Sequence, residues 1–466
     1  MPKKSPHHRY ADRYPVLRKM PDAGRPRAEV LDELKDMATE EDAFWQTGRC
    51  SGTMYCGDMP HYGYLKEAFG LYGHVNALQR DMCPSQTRFE GEIIAMTLDM
   101  LNADAARPDA QPCGSVTSGG TESILSAVLA YREYGRNERG ITDPQMILPE
   151  TAHVAFEKGG HLFGLEVIQA PVDPKTTLVD VDFVRDHISP RTVALVGSAC
   201  NYGYGTIDSI TELSDLALEH GVGLHVDACL GGFILPWGEA LGYEIPRFDF
   251  RLPGVTTISA DSHKYGYAPK GSSVLAFRDR ALREQLYFMR QEWSGGKYIS
   301  PGIAGSRSGG ILAATWAAMV SLGRDGYLRY AKKIFETSFA MQDLVRSHPA
   351  LRIMGDPTFC FSFLSDEFDI YHLNDFMRQR GWRFNGQQHP NALHMCVTRP
   401  QTQPGVVEAF AEDLDAGVAY AEKPASETPR TGGMYGGQPK GVPEVQQAVR
   451  TIMVNMLDAC QDVPPE

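Results

Sequence analysis

Between about residues 85 and 280, short apolar runs alternate with stretches of helical periodicity. Gln145–Leu148 (QMIL), Thr192–Gly197 (TVALVG), Gly223–Asp227 (GLHVD) and Val255–Ala260 (VTTISA) are short, mostly β-branched, and end at small or polar residues. That pattern predicts buried strands. Helical patterns lie between them. Ser209 and Glu212 are spaced as a capping box, in which hydroxyl and carboxylate satisfy each other's free amide hydrogens. The helix they open is predicted to stop at Gly221, in a left-handed end. Strand–helix alternation predicts a mostly parallel sheet covered by helices. Ligands of such sheets bind beyond the carboxyl ends of the strands, so the residues that follow each strand are where chemistry is sought.

The flanking regions read differently. Residues 1–65 form a polar extension with a helix around Arg27–Thr39. It runs into a Gly- and Tyr-rich stretch, Ser51–Leu65, predicted to be irregular and to pack near a site or a partner chain. Residues 66–322 form the large domain, closed by a helix over about Gly309–Leu322. Residues 323–466 read as a smaller α+β domain. Its strand character lies in Leu351–Leu364 and Ala392–Val397, and its helices in His372–Gln379, Val406–Ala421 and Pro443–Leu457. The Gly432–Gln438 stretch fits either a mobile lid or an ordinary loop.

Composition narrows the class. Hydrophobic residues make up 42% and charged residues 22%, a globular balance. The 45 basic and 58 acidic residues leave a net charge of −13, which argues against a nucleic-acid partner. No run is long and apolar enough for a membrane span, and the first 30 residues lack the apolar core of a signal peptide. The basic cluster Lys3, Lys4, Arg9, Arg13, Arg18 and Lys19 reads as a solvated arm. Nine scattered cysteines, odd in number and without a CxxC pair, predict a reduced compartment, hence a soluble cytoplasmic protein. His7 and His8 have no partners at metal-ligand spacing, so no metal site is expected.

Four post-strand positions carry the chemistry. Lys264, in SADSHKYGYAPKG (Ser259–Gly271), follows a predicted strand and a histidine. Desolvation there would lower its pKa and make it a nucleophilic amine, able to form an imine with an aldehyde. Asp227 ends the preceding strand, where a carboxylate can pair with a pyridinium nitrogen. Gly120 and Thr121, in VTSGGTES, sit at a strand-to-helix junction whose free amides suit a phosphate. His153 follows another strand and can stack on a flat ring. In chain order these make a phosphate cradle, a stacking ring, a ring-nitrogen partner and an imine lysine.

GGTES, HVDACLGGF (His225–Phe233), SADSHKYGYAPKG and AGSRSGG (Ala304–Gly310) together resemble the sphingosine-1-phosphate lyases. These are fold-type-I pyridoxal-phosphate enzymes related to the group II decarboxylases. The likeness runs from about Ser51 to Val397 and extends weakly through Gly432–Gln438. It implies a large domain built on a mostly parallel seven-stranded sheet, plus a smaller C-terminal α+β domain. It makes Lys264 the imine lysine, Asp227 the partner of the pyridine nitrogen and His153 the stacking ring. Gly120, Thr121 and His263 would hold the cofactor phosphate. Family members are homodimers with shared active sites, so Gly305 and Ser306 would reach that phosphate from the partner chain.

The resemblance also bears on substrate. Lys270, six residues after Lys264, is similar to a family lysine that contacts the substrate phosphate, and a fixed cation suits an anionic head group. Tyr55, Asn76 and Tyr202 match family positions lining the site. Gln79 stands where many relatives have His. Eukaryotic relatives carry an N-terminal membrane anchor, which is not read here. The activity implied is retro-aldol cleavage of the C2–C3 bond of a phosphorylated sphingoid base, giving a long-chain aldehyde and phosphoethanolamine. The base for the C3 hydroxyl is left among Tyr202, Tyr55 and the substrate phosphate. Two rivals are a group II amino-acid decarboxylase, built on the same Lys, Asp and His, and a catalytically idle scaffold.

Overall fold

The structure is a computed structural model, and it describes residues 10–105, 110–432, 442–461 and 463. Seven strands form one sheet: β1 (Cys113–Thr117), β2 (Gln145–Pro149), β3 (Glu166–Ala170), β4 (Thr192–Ser198), β5 (Gly223–Asp227), β6 (Thr257–Ala260) and β7 (Ser273–Phe277). Their order is β1-β7-β6-β5-β4-β2-β3. β7 runs antiparallel to both its neighbours, and the pairs among β2 to β6 are parallel. β2, β4, β6 and β7 are buried along their whole length, as runs covered on both faces should be.

Helices cover the sheet. The helix predicted to begin after Ser209 spans Ile210–His220 and ends at Gly221 with φ 62°. Its capping box is not formed, because Ser209 makes no side-chain cap bond. The Ile210 amide is instead taken up by the Asp208 carbonyl at 2.7 Å. The helix predicted to end at Leu322 runs on through Gly309–Ser347, broken at Gly323, whose φ of 57° and ψ of 179° only glycine adopts readily. Ser51–Leu65 is irregular only at its start: Asp58 accepts from the His61 amide and opens a helix over Met59–Tyr72. The helix predicted around Arg27–Thr39 extends to Trp45 and buries none of its residues.

The remaining strands are β8 (Phe288–Arg290) and β9 (Tyr298–Ser300), an exposed hairpin, then β10 (Arg352–Ile353), β11 (Cys360–Leu364), β12 (Asn385–Gln387) and β13 (Ala392–Cys396). The last four form an antiparallel sheet in the order β10-β11-β13-β12. Helices Ile370–Gln379 and Val406–Glu422 accompany it. One hydrophobic cluster joins the two sheets, drawing Leu224 and Ile258 from the first and Phe361 and Met395 from the second. Among the described residues, no helix is long and apolar enough to cross a membrane. Most of Gly432–Gln438, read from sequence as lid or loop, lies outside the described residues.

Candidate active site

The loop joining β6 to β7, residues 261–272, carries both lysines. It is tied at its base by Ser262 and Ser272, whose hydroxyls lie 2.6 Å apart, and by the Ala268 amide donating to the Ser262 carbonyl. A Cβ at Gly266 would come within 2.4 Å of that carbonyl, so the turn admits only glycine. This turn sets Lys264 Nζ 2.9 Å from Asp261 Oδ2. Burial works to depress the lysine's pKa, but Asp261, Tyr55 and Cys229 outweigh it and the net direction is upward. The lowered pKa expected from sequence is therefore corrected, because desolvation comes with a carboxylate partner. The other oxygen of Asp261 is buried with no hydrogen-bond partner.

Asp227 closes β5, directly beside β6. Its Oδ1 accepts from the Cys229 amide at 3.0 Å and the Ser259 hydroxyl at 3.2 Å. Oδ2 has no hydrogen-bond partner among the described residues. At the end of β1, Gly119 (φ 152°) turns the chain into the helix Gly120–Arg139. A Cβ on Gly120 would lie 2.8 Å from both Asp261 Oδ2 and Cys229 Sγ. Thr121 is exposed in the first helical turn. His263 flanks Gly119, and its Nδ1 donates to the Ser272 carbonyl at 2.7 Å. His153, after β2, is exposed, with Nδ1 accepting from the Ala155 amide at 3.1 Å.

A second group approaches from the small domain. The chain at Ser51 and Gly52 bonds along β13: the Ser51 hydroxyl accepts from the Cys396 amide, and the Gly52 amide donates to the Cys396 carbonyl. That seam delivers Tyr55, whose ring meets Tyr265 edge-on at 5.1 Å. Lys270 Nζ stands 4.6 Å from the Tyr55 ring centre. Its pKa is lowered to about 8, chiefly by desolvation and then by Lys264, although the outer flank of the side chain is open to solvent. Tyr202, half-exposed after β4, packs 4.7 Å from the His394 ring. Burial, then Cys396 and Cys360, raise its pKa to about 12.

Three expected site residues form a patch of their own. Asn76 Nδ2 donates to Ser306 Oγ at 3.0 Å, beside Gly305. Arg307 anchors this patch through Glu90 and the Val116 carbonyl. Among the described residues, no hydrogen bond or ion pair joins Asn76, Gly305 or Ser306 to Lys264 or Lys270.

Comparison with known proteins places this geometry. Residues 26–363 match the pyridoxal-dependent decarboxylase conserved domain. A sphingosine-1-phosphate lyase of Arabidopsis thaliana is 42% identical over 438 residues, 92% of this chain and 79% of the relative. The chain belongs to the sphingosine-1-phosphate lyase family. A solved sphingosine-1-phosphate lyase of Burkholderia pseudomallei is 57% identical, with a TM-score of 0.92 over 98% of this chain and all of that one. A glutamate decarboxylase of Lactobacillus brevis, 20% identical, shares the fold, with a TM-score of 0.75 over 89% of this chain and 97% of the other.

The cofactor of this family is pyridoxal phosphate. The donor set fits it: an amine for the aldehyde, a carboxylate oxygen left open at a strand end, and free amides at a helix start. The unpartnered oxygen of Asp261, buried beside Lys264, marks a polar site made for more than one side chain. Asp261 is the residue that sequence reasoning missed. Its signal was the acid three residues before the lysine, a spacing that brings both to one side of a turn.

Proposed function

We propose that this chain cleaves the C2–C3 bond of phosphorylated sphingoid bases such as sphingosine 1-phosphate, releasing a long-chain aldehyde and phosphoethanolamine. Pyridoxal phosphate supplies an electron-poor ring that accepts the electron pair left on C2 when the bond breaks. Lys264 is the amine that would hold the cofactor aldehyde and, once the substrate amine has taken its place, would be the group positioned to return a proton to C2. Asp227 Oδ2 would accept a hydrogen bond from the protonated ring nitrogen and so keep the ring electron-poor, and His153 would stack on the ring. Gly120, Thr121 and His263 hold the cofactor phosphate together with Gly305 and Ser306 of a second copy, whose Asn76 lines the same site.

The observation that carries the substrate assignment is Lys270. It sets a second cation beside Lys264, open on one flank and resting on Tyr55. A phosphate headgroup removed from water needs such a fixed cation. Tyr55 and Tyr202, their pKa values both raised by burial, are neutral phenols near pH 7. They orient the C3 oxygen rather than take its proton. The substrate phosphate, whose second pKa lies near 6, receives that proton as the carbonyl forms.

A homodimer is supported by apolar surface left open on one chain. The helix Arg27–Trp45 buries nothing, and Phe69, Leu71, Phe288, Trp293 and Ile299 are all exposed. An odd count of scattered cysteines supports a cytoplasmic location.

Incubation with sphingosine 1-phosphate should yield a fatty aldehyde, and borohydride should fix the cofactor to Lys264. Labelling at another lysine would overturn the site assignment. Carbon dioxide release from amino acids, without aldehyde, would favour the decarboxylase reading.

A further inference from the structure

Leading back from Asp227, the sheet buries an unbroken line of polar side chains. Tyr131 Oη lies 2.6 Å from Thr257 Oγ1. Thr257 Oγ1 lies 2.7 Å from His225 Nδ1. His225 Nε2 lies 3.2 Å from Ser259 Oγ, and Ser259 Oγ donates to Asp227 Oδ1 at 3.2 Å. Thr257, His225 and Ser259 have no exposed surface, and Tyr131 has 2%. Unsatisfied groups at such depth are costly, so the direction of each bond is constrained.

The direction follows from counting protons. A carboxylate only accepts, so the single Ser259 proton goes to Asp227. His225 Nε2 must therefore carry the hydrogen that reaches Ser259. Burial lowers the histidine's pKa to about 4, so the ring is neutral and Nδ1 is an acceptor. Thr257 then donates to Nδ1 and accepts from Tyr131. The Leu224 carbonyl already accepts from the Thr256 amide at 2.9 Å, so the Thr256 hydroxyl donates to Tyr131 Oη, 2.7 Å away, and leaves the single Tyr131 proton for Thr257. All four donors point the same way, and bonds aligned in series polarise one another.

We propose that His225 and Ser259 are positioning residues for the cofactor's ring nitrogen. With Thr257 and Tyr131 they form a one-way hydrogen-bond chain that fixes Asp227 Oδ1 and leaves Oδ2 as the oxygen for the ring. The inference rests on the reading of Asp227 given above. An orienting chain of this kind supplies what a short strand end lacks, namely a second constraint on the carboxylate's rotation beyond the Cys229 amide.

A merely structural role for His225 is also available, since its ring meets Phe156 edge-on at 5.5 Å. Three variants separate the two. His225→Phe keeps an aromatic ring and removes both nitrogens. His225→Gln places an amide N–H where Nε2–H stood. Ser259→Ala cuts the chain next to Asp227 with little change of volume. Cofactor affinity of each apoprotein is measured by fluorescence titration with pyridoxal phosphate, alongside visible circular dichroism of the loaded protein.

His225→Phe and Ser259→Ala are expected to weaken cofactor binding about tenfold and to alter the visible dichroic band, while His225→Gln recovers most of both. Folded His225→Phe with parental affinity and dichroism would overturn the proposal, as would equal loss in His225→Phe and His225→Gln. Should His225→Phe not fold, Ser259→Ala alone decides: parental affinity and dichroism overturn the chain. Imidazole nitrogen shifts of parental protein labelled at histidine are expected to show the Nε2–H tautomer, and the Nδ1–H tautomer would reverse the direction argued. A parental chain that binds no pyridoxal phosphate would sink the Asp227 reading itself, which is a different result from any of these.

Discussion

Lys270 rests its ammonium 4.6 Å from the centre of the Tyr55 ring, joining the sheet loop to the N-terminal seam along β13. The contact is a cation–π pair; the ammonium also lies 3.5 Å from the His263 carbonyl, and the side chain is otherwise exposed. With a pKa lowered to about 8, Lys270 is charged at pH 7 and loses its charge as pH rises through 8. A phosphate headgroup is held only by the charged form. For the free enzyme, kcat/KM toward a phosphorylated sphingoid base is therefore expected to fall above about pH 8. Lys270→Met should lower kcat/KM at pH 7 by about 10- to 100-fold, mainly through KM, and should abolish that descending limb. An unphosphorylated analogue should be affected far less. Equal losses on both substrates would remove Lys270 from headgroup binding.

Lys264 and Asp261 make a second expectation, about loading rather than turnover. The amine attacks the cofactor aldehyde only when deprotonated. Since Asp261 raises the lysine's pKa, the reactive form is scarce at neutral pH and grows as pH rises. Imine formation in apoprotein mixed with pyridoxal phosphate should accelerate with pH. In Asp261→Asn the largest upward influence is gone, so loading at pH 7 should be faster and its pH dependence flatter. Stopped-flow absorbance measures both, and identical profiles in the two proteins would show that the pair does not govern the amine.

Much of this site was legible because its parts sit at strand ends. β2, β4 and β5 are apolar runs bounded by polar residues, and Lys264, Asp227, His153 and Gly120 are placed by the strands that precede them. The antiparallel place of β7 between β1 and β6 was not legible, since a five-residue buried run has no direction of its own. The helix over Met59–Tyr72 was hidden by the three glycines and three tyrosines of Ser51–Leu65, which mimic a loop, although Asp58 followed closely by Pro60 is a helix-start signal. Ser209 shows the opposite error. Its spacing to Glu212 satisfies the capping-box pattern, yet the Asp208 carbonyl takes the first amide. Pairings between distant segments, such as Ser51 with Cys396, depend on tertiary contact and leave no local trace.

Gly120 tests the fit between helix and cradle. A methyl group there would press within 2.8 Å of Asp261 Oδ2 and Cys229 Sγ, both on buried residues. The helix start would have to move away from the loop bearing Lys264. Gly120→Ala is expected to destabilise the apoprotein by about 1–3 kcal/mol and to weaken pyridoxal phosphate binding by more than that loss alone requires. Urea denaturation and fluorescence titration give the two quantities. Unchanged cofactor affinity in a destabilised variant would mean that the glycine serves packing and not the cofactor.

Gly305 tests whether two chains share one site. Nothing lies within 4 Å of a Cβ placed on it, so a longer side chain is tolerated by the chain that carries it. Gly305→Glu would instead set a negative charge against the cofactor phosphate of the opposite copy. Lys264→Ala removes the amine from its own copy. Each variant alone should be nearly inactive. In a mixed dimer one site combines both lesions and the other combines neither. Random exchange makes half of the dimers mixed, each with one intact site, so about a quarter of parental activity should return. Native mass spectrometry establishes that mixed dimers are present. Their presence without recovered activity would mean that Gly305 and Lys264 serve the same copy, and that the site is not shared between chains.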